Sequence, residues 1–519
     1  MGMDKGYTEQ MLRRLSDWLF AHPGLALASV LAVALVTRLL GIASRLIWYD
    51  EAFSILFSQK GFATMLTGTL ASTGGGAAEE HPLLYYMLLS AWMRAFGDSV
   101  VAVRLFSIVA GMILVSAVYL LARSLFDVRI GFVAGLITAL SPFQVHYAQE
   151  IRMYSLLGAW LLLATYAYWR AARSSGPGWW LAFALFAALA QYTHNLAAFY
   201  LLALAIWPIL KGNWHVAKRV ALAGLLALLL YAPWLVYLPS QFAKVDHSYW
   251  VGKPAVYRLL TLLLFYVPSL PLPDTELSIG LTIAVFVVAI AALWTVSAVR
   301  SRQSGAEQGM WLLYLSFAPA VLLFVFSQWI PLYLERALLP SGAVFCAWLA
   351  WAIFGTRAPH PLRLLAGSLL VIAFAMGLYH HVASQGGLYG PFQTVTHNLE
   401  AELQPGDVIV HSNKLSMLPS VYFDPMLSQS YVADPQGSGV DTFAPATQQA
   451  LGVIARPDLQ TAVKGARRVW FIIFDRSIQE YVKAGYATHP QIAWLSQHFS
   501  LVEARTWATL HVYLFAKEP

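Results

Sequence analysis

Residues 100–122 read VVAVRLFSIVAGMILVSAVYLLA, with Arg104 as the sole charge. As a helix rising ~1.5 Å per residue, 23 residues reach ~34 Å, enough to cross a ~30 Å hydrocarbon core. Stretches of the same character recur on both sides, from residue 22 to residue 382. Of the 519 residues, 59% are apolar or aromatic and only 11% are charged, where soluble domains average ~25% charged. So few charges cannot coat a water-soluble surface. The composition indicates a polytopic membrane protein and excludes disorder, a coiled coil and a disulfide scaffold. The single cysteine, Cys346, lies in an apolar run and reads as packing.

Membrane spans are expected near 22–44, 100–122, 129–146, 151–170, 179–193, 195–210, 217–238, 277–299, 310–330, 335–355 and 362–382. Two further apolar segments, 82–96 and 256–272, are ambiguous. Charge decides between the alternatives. Lys5, Arg13 and Arg14 place the 1–21 tail in the cytoplasm. The basic turns Arg123/Arg129, Arg170/Arg173, Lys211/Lys218/Arg219, Arg300/Arg302 and Arg357/Arg363 all follow it there if neither ambiguous segment crosses. The expected architecture is therefore an all-α bundle of about eleven transmembrane helices over 22–382, thirteen being the alternative, with two juxtamembrane segments. The apolar run after the basic tail exceeds a signal-peptide core and reads as an uncleaved anchor. The N-terminus then lies inside and the C-terminus outside.

The first outer loop, 45–99, holds a Gly74-Gly75-Gly76 hinge and a short amphipathic helix from Trp48 to Phe57. A second, 239–255, carries Lys244, Asp246, His247 and Lys253. From about 383 onward the hydrophobic period shortens. Asp407–His411, Val469–Phe474 and Leu510–Ala516 read as strands, Leu415–Phe423 and Ser477–Ala484 as helices. Residues 383–519 are thus expected to form a small soluble α/β domain on the outer face. That segment carries 9 basic and 11 acidic side chains, against 24 and 15 in 1–382. The basic excess belongs to the membrane part and reads as an orientation signal, not as nucleic-acid affinity.

Ionisable residues at membrane depth are costly and mark functional sites. In this topology they gather at the outer edge. Asp50 and Glu51 follow the first span between Trp48-Tyr49 and Ala52-Phe53. They are either ordinary first-turn acids of a helix or carboxylates in an apolar setting suited to a general base. Glu79-Glu80-His81-Pro82 precedes Tyr85 and Tyr86. The acids there are helix-start charge, or else a polar cluster in which His81 meets an anion or a metal. Arg104 either snorkels to the interface or grips a phosphate with its fork. Glu150, Arg152 and Tyr154 fill the next outer turn, where Glu150 and Arg152 could simply neutralise each other. His194 caps or packs the turn after that, or is functional. Arg336 faces headgroups or a bound lipid phosphate. No GxxxxGK[ST], HExxH, GxSxG or CxxC motif occurs, so nucleotide hydrolysis, zincin proteolysis and serine hydrolase chemistry lack their markers.

In these motifs the chain resembles integral-membrane glycosyltransferases of the GT-C class. It is most similar to the protein O-mannosyltransferase and aminoarabinose transferase-like family, with lipopolysaccharide galacturonosyltransferase relatives. The matching residues are Asp50-Glu51, His81 to Tyr86, Val103 to Ser107, Gln149 to Tyr154 and Glu335 to Pro340. The chain departs from many relatives at His81-Pro82-Leu83, where they have two prolines, and at Ala337, where they have Tyr. The resemblance implies a multi-span fold with juxtamembrane helices in the first outer loop, a polyprenyl-phosphate sugar donor and chemistry on the outer face of the plasma membrane. Asp50 maps onto the family's catalytic residue, accompanied by Glu51, and Glu150 onto its second acidic position. Arg104 maps onto the lipid-phosphate contact, with His81, Tyr85, Arg152, Tyr154, His194 and Arg336 as further substrate-binding candidates. The expected reaction moves a sugar, with inversion, to a hydroxyl of a protein, lipid or glycan acceptor. A divalent metal at Glu80, His81 or Glu150 is left open, because no ligand spacing demands one, and no nucleotide cofactor is expected. A polysaccharide polymerase or ligase and a non-enzymatic transporter of lipid-linked sugar are the alternative readings. A transporter should show inverted repeats and spans broken at the midplane, and the sequence carries neither signal.

Overall fold

The computed structural model describes residues 5–70, 79–174, 176–239, 241, 251–383, 389–434 and 442–517. The Gly74–Gly76 hinge and Lys244, Asp246 and His247 lie outside these residues. A helix forms in each of the eleven stretches read as spans. Six of them are long and apolar enough to cross a membrane alone: Val100–Leu125, Trp214–Leu235, Asp274–Arg300, Ala306–Phe326, Glu335–Gly355 and His360–Ala383. Two bent pairs, Arg14–Ala21 with Pro23–Leu39 and Val128–Leu140 with Pro142–Gln149, raise the number to eight if each is one span. A count of eleven is therefore not established. Gly178–Thr193 and Ala197–Leu210, at 16 and 14 residues, reach only ~24 and ~21 Å. The two ambiguous segments form Leu84–Phe96 and Tyr257–Tyr266, 13 and 10 residues long. At ~20 and ~15 Å neither can cross a ~30 Å core by itself.

The chain divides into two compact units. One comprises Met1–Ile42, Arg104–Trp234 and Lys253–Ala383. Its most enclosed element is Leu339–Ala350, buried at every position, Cys346 included. This helix packs on Val128–Leu140, Tyr154–Ala172 and Ala306–Phe326. Close approach depends on small residues, as membrane helix packing generally does. A Cβ on Gly309 would meet the Trp351 ring at 2.0 Å. Outward positions on the longest helices are large and apolar: Leu229 and Leu293 are 62% and 68% exposed, Val371 67%. Exposed apolar surface of that kind is tolerated against lipid and not against water. The protein is a multi-pass membrane protein.

The bend at Pro142 has a local cause. Proline lacks the N–H that would bond Thr138 and collides with that turn. The freed carbonyls need donors, because lipid supplies none. Arg38, buried completely, supplies them, donating to the Ala139 carbonyl at 3.0 Å and to that of Thr138 at 3.5 Å. Thr37 Oγ1 adds a second bond to Ala139, at 3.0 Å.

The other unit comprises Ala43–Val103, Leu235–Gly252 and Ser384–Pro519. Its centre is a six-stranded sheet of order β3-β2-β1-β4-β6-β5. The strands are β1 Asp407–His411, β2 Gln429–Val432, β3 Ala455–Arg456, β4 Arg468–Phe474, β5 Ser500–Trp507 and β6 Leu510–Ala516. β1 pairs in parallel with β2 and β4, and β3 continues that parallel half. β6 runs antiparallel to both β4 and β5. Helices cover both faces: Phe392–Glu402 and Lys414–Phe423 pack over Ile409, Trp470 and Val512, while Pro490–His498 packs over Val410, Phe471 and Phe515. The three strands and two helices expected from the sequence form, within about three residues of their expected limits. β2, β3 and β5 escaped detection. β2 and β3 are four and two residues long, and β5 is largely exposed and interrupted by a register shift at Leu501/Glu503.

Candidate functional site

In the unit that holds the sheet, the chain leaves the first helical stretch and turns into Tyr49–Ser58. Asp50 and Glu51 occupy the first turn of this helix, where exposed backbone N–H groups and the helix dipole favour carboxylates. Asp50 is half-buried and Glu51 completely buried. The expected amphipathic surface helix is instead enclosed: every residue from Glu51 to Ser58 is buried. The reason is tertiary. The helix packs on Lys414–Phe423, Pro445–Leu451 and Leu84–Phe96, so its polar positions gain no solvent.

An aromatic chain runs through this region. Tyr49 stacks on Phe443 with ring centroids 6.2 Å apart, and Phe53 lies 5.9 Å from Phe443. Phe57 meets Tyr86 edge-on at 5.1 Å, and Tyr86 in turn meets the buried Tyr85. The Tyr86 hydroxyl donates to Glu79 at 2.7 Å. The other oxygen of Glu79 accepts from the backbone N–H of Glu80 and His81 and takes a short contact with His81 Nδ1. Glu79 thus orients His81, much as a second carboxylate orients a functional imidazole. From the sequence it was one of two adjacent acids, with nothing to mark it as the anchor.

The membrane-helix unit carries the remaining candidates. Arg104 is completely buried and does not snorkel; its guanidinium donates to the Ile42 carbonyl at 2.8 Å. Glu150, Arg152 and Tyr154 occupy the turn after Pro142–Gln149, and all three are buried. His146 Nε2 lies 3.9 Å from the Glu150 carboxylate. His146 Nδ1 also faces His381 Nδ1 at 3.2 Å, and His381 Nε2 meets Gln149 Oε1 at 2.8 Å. The Gln149 amide donates at 2.8 Å to the carbonyls of both Arg38 and Leu40. Neither histidine stood out in the sequence, because they are 235 positions apart. They line a small cavity with Pro142, Ser269 and Gly377.

Tyr154 is the hub of this second group. The Arg336 guanidinium sits 5.3 Å over its ring, in cation–π range. The His194 ring is 6.0 Å away and that of Tyr147 5.4 Å. His194 also caps its own turn, Nδ1 accepting from Leu196 N–H at 3.2 Å. Beside Arg336, Glu335 receives both Nε and a terminal nitrogen of Arg258, at 2.9 and 3.0 Å. The structure therefore joins Tyr154, His194 and Arg336 in one group, and in the other unit an aromatic chain runs from Tyr49, the neighbour of Asp50, to Tyr86, whose partner Glu79 holds His81. Among the described residues, no three His, Cys, Asp or Glu side chains are grouped as metal ligands.

Residues 80–237, which contain His81, Arg104, Glu150, Arg152, Tyr154 and His194, match the family of dolichyl-phosphate-mannose-protein mannosyltransferases. Most of the chain is similar in structure to ArnT from Cupriavidus metallidurans. The apo form matches at TM-score 0.64 and 15% identity, covering 94% of this chain and 97% of that one. The form bound to undecaprenyl phosphate matches at 0.65 and 13% over the same shares. The archaeal oligosaccharyltransferase AglB from Archaeoglobus fulgidus, in complex with an inhibitory peptide and a dolichol-phosphate, matches at 0.54 and 12%, covering 96% of this chain and 74% of that one. No curated protein matches the chain significantly. The chain has the fold of these integral-membrane transferases, the GT-C fold, and its 80–237 segment is similar to the protein mannosyltransferase family.

Proposed function

We propose that the protein is a glycosyltransferase that moves a sugar from a polyprenyl-phosphate donor to an acceptor hydroxyl at the outer face of the plasma membrane. The observation that carries this reading is the match of 94% of the chain to a fold whose solved example holds undecaprenyl phosphate. It is supported by the burial of charge where the fold would need it, at Glu51, Arg104, Glu150 and Arg152. On this reading the N-terminus is cytoplasmic and residues 383–519 form the outer-face domain.

Asp50 is the general base. As the acceptor oxygen forms its bond to the anomeric carbon, its proton passes to the Asp50 carboxylate. The bond from that carbon to the phosphate oxygen breaks, and polyprenyl phosphate leaves with the electron pair. In-line displacement inverts the anomeric centre. Arg104, assisted by Arg152, Arg336 and His81, stabilises the charge that grows on the leaving phosphate, and Tyr85, Tyr154 and His194 shape the pocket. Glu51 and Glu150 support the base and the acceptor. Phosphate is already a good leaving group, so positioning supplies much of the rate. No step is routed through a metal.

The test uses purified protein in nanodiscs with radiolabelled undecaprenyl-phosphate sugars bearing a neutral hexose, an aminopentose or a uronic acid. Release of undecaprenyl phosphate from one donor identifies the sugar. Asp50→Asn should lower that release ~10²–10⁴-fold while the protein stays folded. Near-normal release from the variant would remove Asp50 from the mechanism.

A further inference from the structure

Two aromatic residues, Trp48 and Tyr49, immediately precede Asp50, and each is pinned by a residue more than 300 positions away. The Trp48 ring lies 5.8 Å from that of Tyr389. Arg45 donates to the Tyr389 hydroxyl at 3.1 Å, and the Tyr389 carbonyl accepts from Thr509 at 2.7 Å. Tyr49 stacks on Phe443, and the Lys414 ammonium sits over both rings, 5.3 Å from Tyr49 and 4.5 Å from Phe443. The same segment grips the first loop further along. The Thr447 hydroxyl donates to the Gly68 carbonyl at 3.4 Å and that of Tyr422 to the Asp98 carbonyl at 2.9 Å.

Lys414 is the costly member of this set. It is only 3% exposed, although lysine is among the side chains least often buried. It also opens the Lys414–Phe423 helix, the end at which the helix dipole disfavours a cation. A surface lysine placed only for solubility would meet neither condition. Two ring faces offset the desolvation, and the ammonium in return fixes the orientation of the Tyr49 ring.

We infer that Lys414 is a positioning residue for the active site: through Tyr49 and Phe443 it holds the turn that carries Asp50. The inference rests on the reading of Asp50 as the base, and it makes the outer α/β segment part of the catalytic apparatus. Lys414 acts through Tyr49, over whose ring its ammonium sits.

Hydrogen exchange by mass spectrometry, read on the backbone amides of 49–58 in the full chain, measures the positioning without reference to turnover. Lys414→Met keeps the length and removes the charge. It should speed exchange there at least ~10-fold, because helix-end contacts set local opening. Lys414→Arg keeps a cation that stacks on rings and should return exchange to near the wild-type rate. Release of undecaprenyl phosphate should follow: kcat falls ~10–100-fold in K414M, the scale of an ångström misplacement, with KM within about threefold, and recovers in K414R. Unchanged exchange and turnover in K414M overturn the inference, as does a K414R variant no better than K414M. If K414M also loosens β1 and β4, Phe443→Leu repeats the experiment; the inference then requires faster exchange at 49–58 and falls if those amides stay protected. An active D50N protein would overturn the assignment of the base and not the exchange result, so the two failures are distinct.

Discussion

The membrane helices and the sheet bury charge in opposite ways. In the helical unit, Arg38 and Arg104 are completely buried and donate to backbone carbonyls, while Arg336 lies on a tyrosine ring. Around the sheet, Arg468 pairs with Asp407 at 2.9 Å. Arg505 there binds both oxygens of Glu402, at 2.6 and 2.8 Å, with about a third of each side chain exposed. In the sheet region water shares the solvation, so an ion pair is a minor adjustment. In lipid every donor and acceptor must be matched inside the protein. A charge there has either a structural carbonyl to serve or a substrate to meet, and the two uses separate by experiment.

Arg104 and Arg38 test that separation most directly. Arg104→Met should lower kcat/KM for the polyprenyl donor ~10²–10³-fold, as loss of a charge-stabilising donor typically does, with a smaller fall in melting temperature than Arg38→Met, because one carbonyl, that of Ile42, loses its donor and not two. Full activity would mean that Arg104 serves only the Ile42 carbonyl. Arg38→Met should do the reverse. Two carbonyls at the Pro142 bend lose their donor, at ~1–3 kcal/mol each, so detergent-solubilised protein should unfold several degrees earlier while the folded fraction keeps its turnover. An Arg38 variant that was stable but inactive would place this side chain with the substrate.

The sheet region should respond to pH instead. Burial lowers the His411 imidazole to about 4, and Gln429, a hydrogen-bond partner, only partly opposes this. Burial likewise lowers His489 to about 4. Both folded values lie below the ordinary ~6.5, so the unfolded chain takes up the protons first. Stability is then complete above ~6.5 and is lost as pH falls from there toward ~4, with His411 contributing roughly 2 kcal/mol of loss by pH 5. Urea unfolding followed by exchange of the β1 and β4 amides at pH 7 and pH 5 measures it, and His411→Gln should flatten the slope. The smallest effect belongs to Arg505→Ala. Its partner Glu402 is held below the usual carboxylate range by the Arg505 hydrogen bonds, yet the exposed cluster should contribute no more than ~1 kcal/mol. A melting curve that moved further would show that the sheet, too, depends on its charges.

Much of the helical unit was legible because its signal is local. A run such as 100–122 announces a helix from hydropathy alone, and each of the eleven runs contains one, although 129–146 is broken in two at Pro142. How many of them cross was not legible, because a helix of 14 or 16 residues can be too short to span and still be fully apolar. The candidate residues were legible as ionisable groups in apolar surroundings. Their partners were not. Glu79 looks no different from Glu80 until Tyr86 and His81 are folded onto it. Lys414 looks like any helix-start lysine until Phe443 and Tyr49 enclose it. His146 and His381 meet only when two separate helices pack.

By itself, the sequence determined that this chain lives in a membrane, where its helices lie, and that acids, a histidine and arginines punctuate their predicted outer ends. These follow from transfer free energies that each segment carries wherever it sits. The tertiary structure alone decided that the Tyr49–Ser58 helix is enclosed, that Arg38 serves the broken turn at Pro142, and that the Trp48 and Tyr49 rings just before Asp50 are held from the distant α/β segment. Those outcomes depend on which surfaces meet, and meeting is a property of the folded chain: a side chain's solvation is set by neighbours that its own stretch of sequence does not contain.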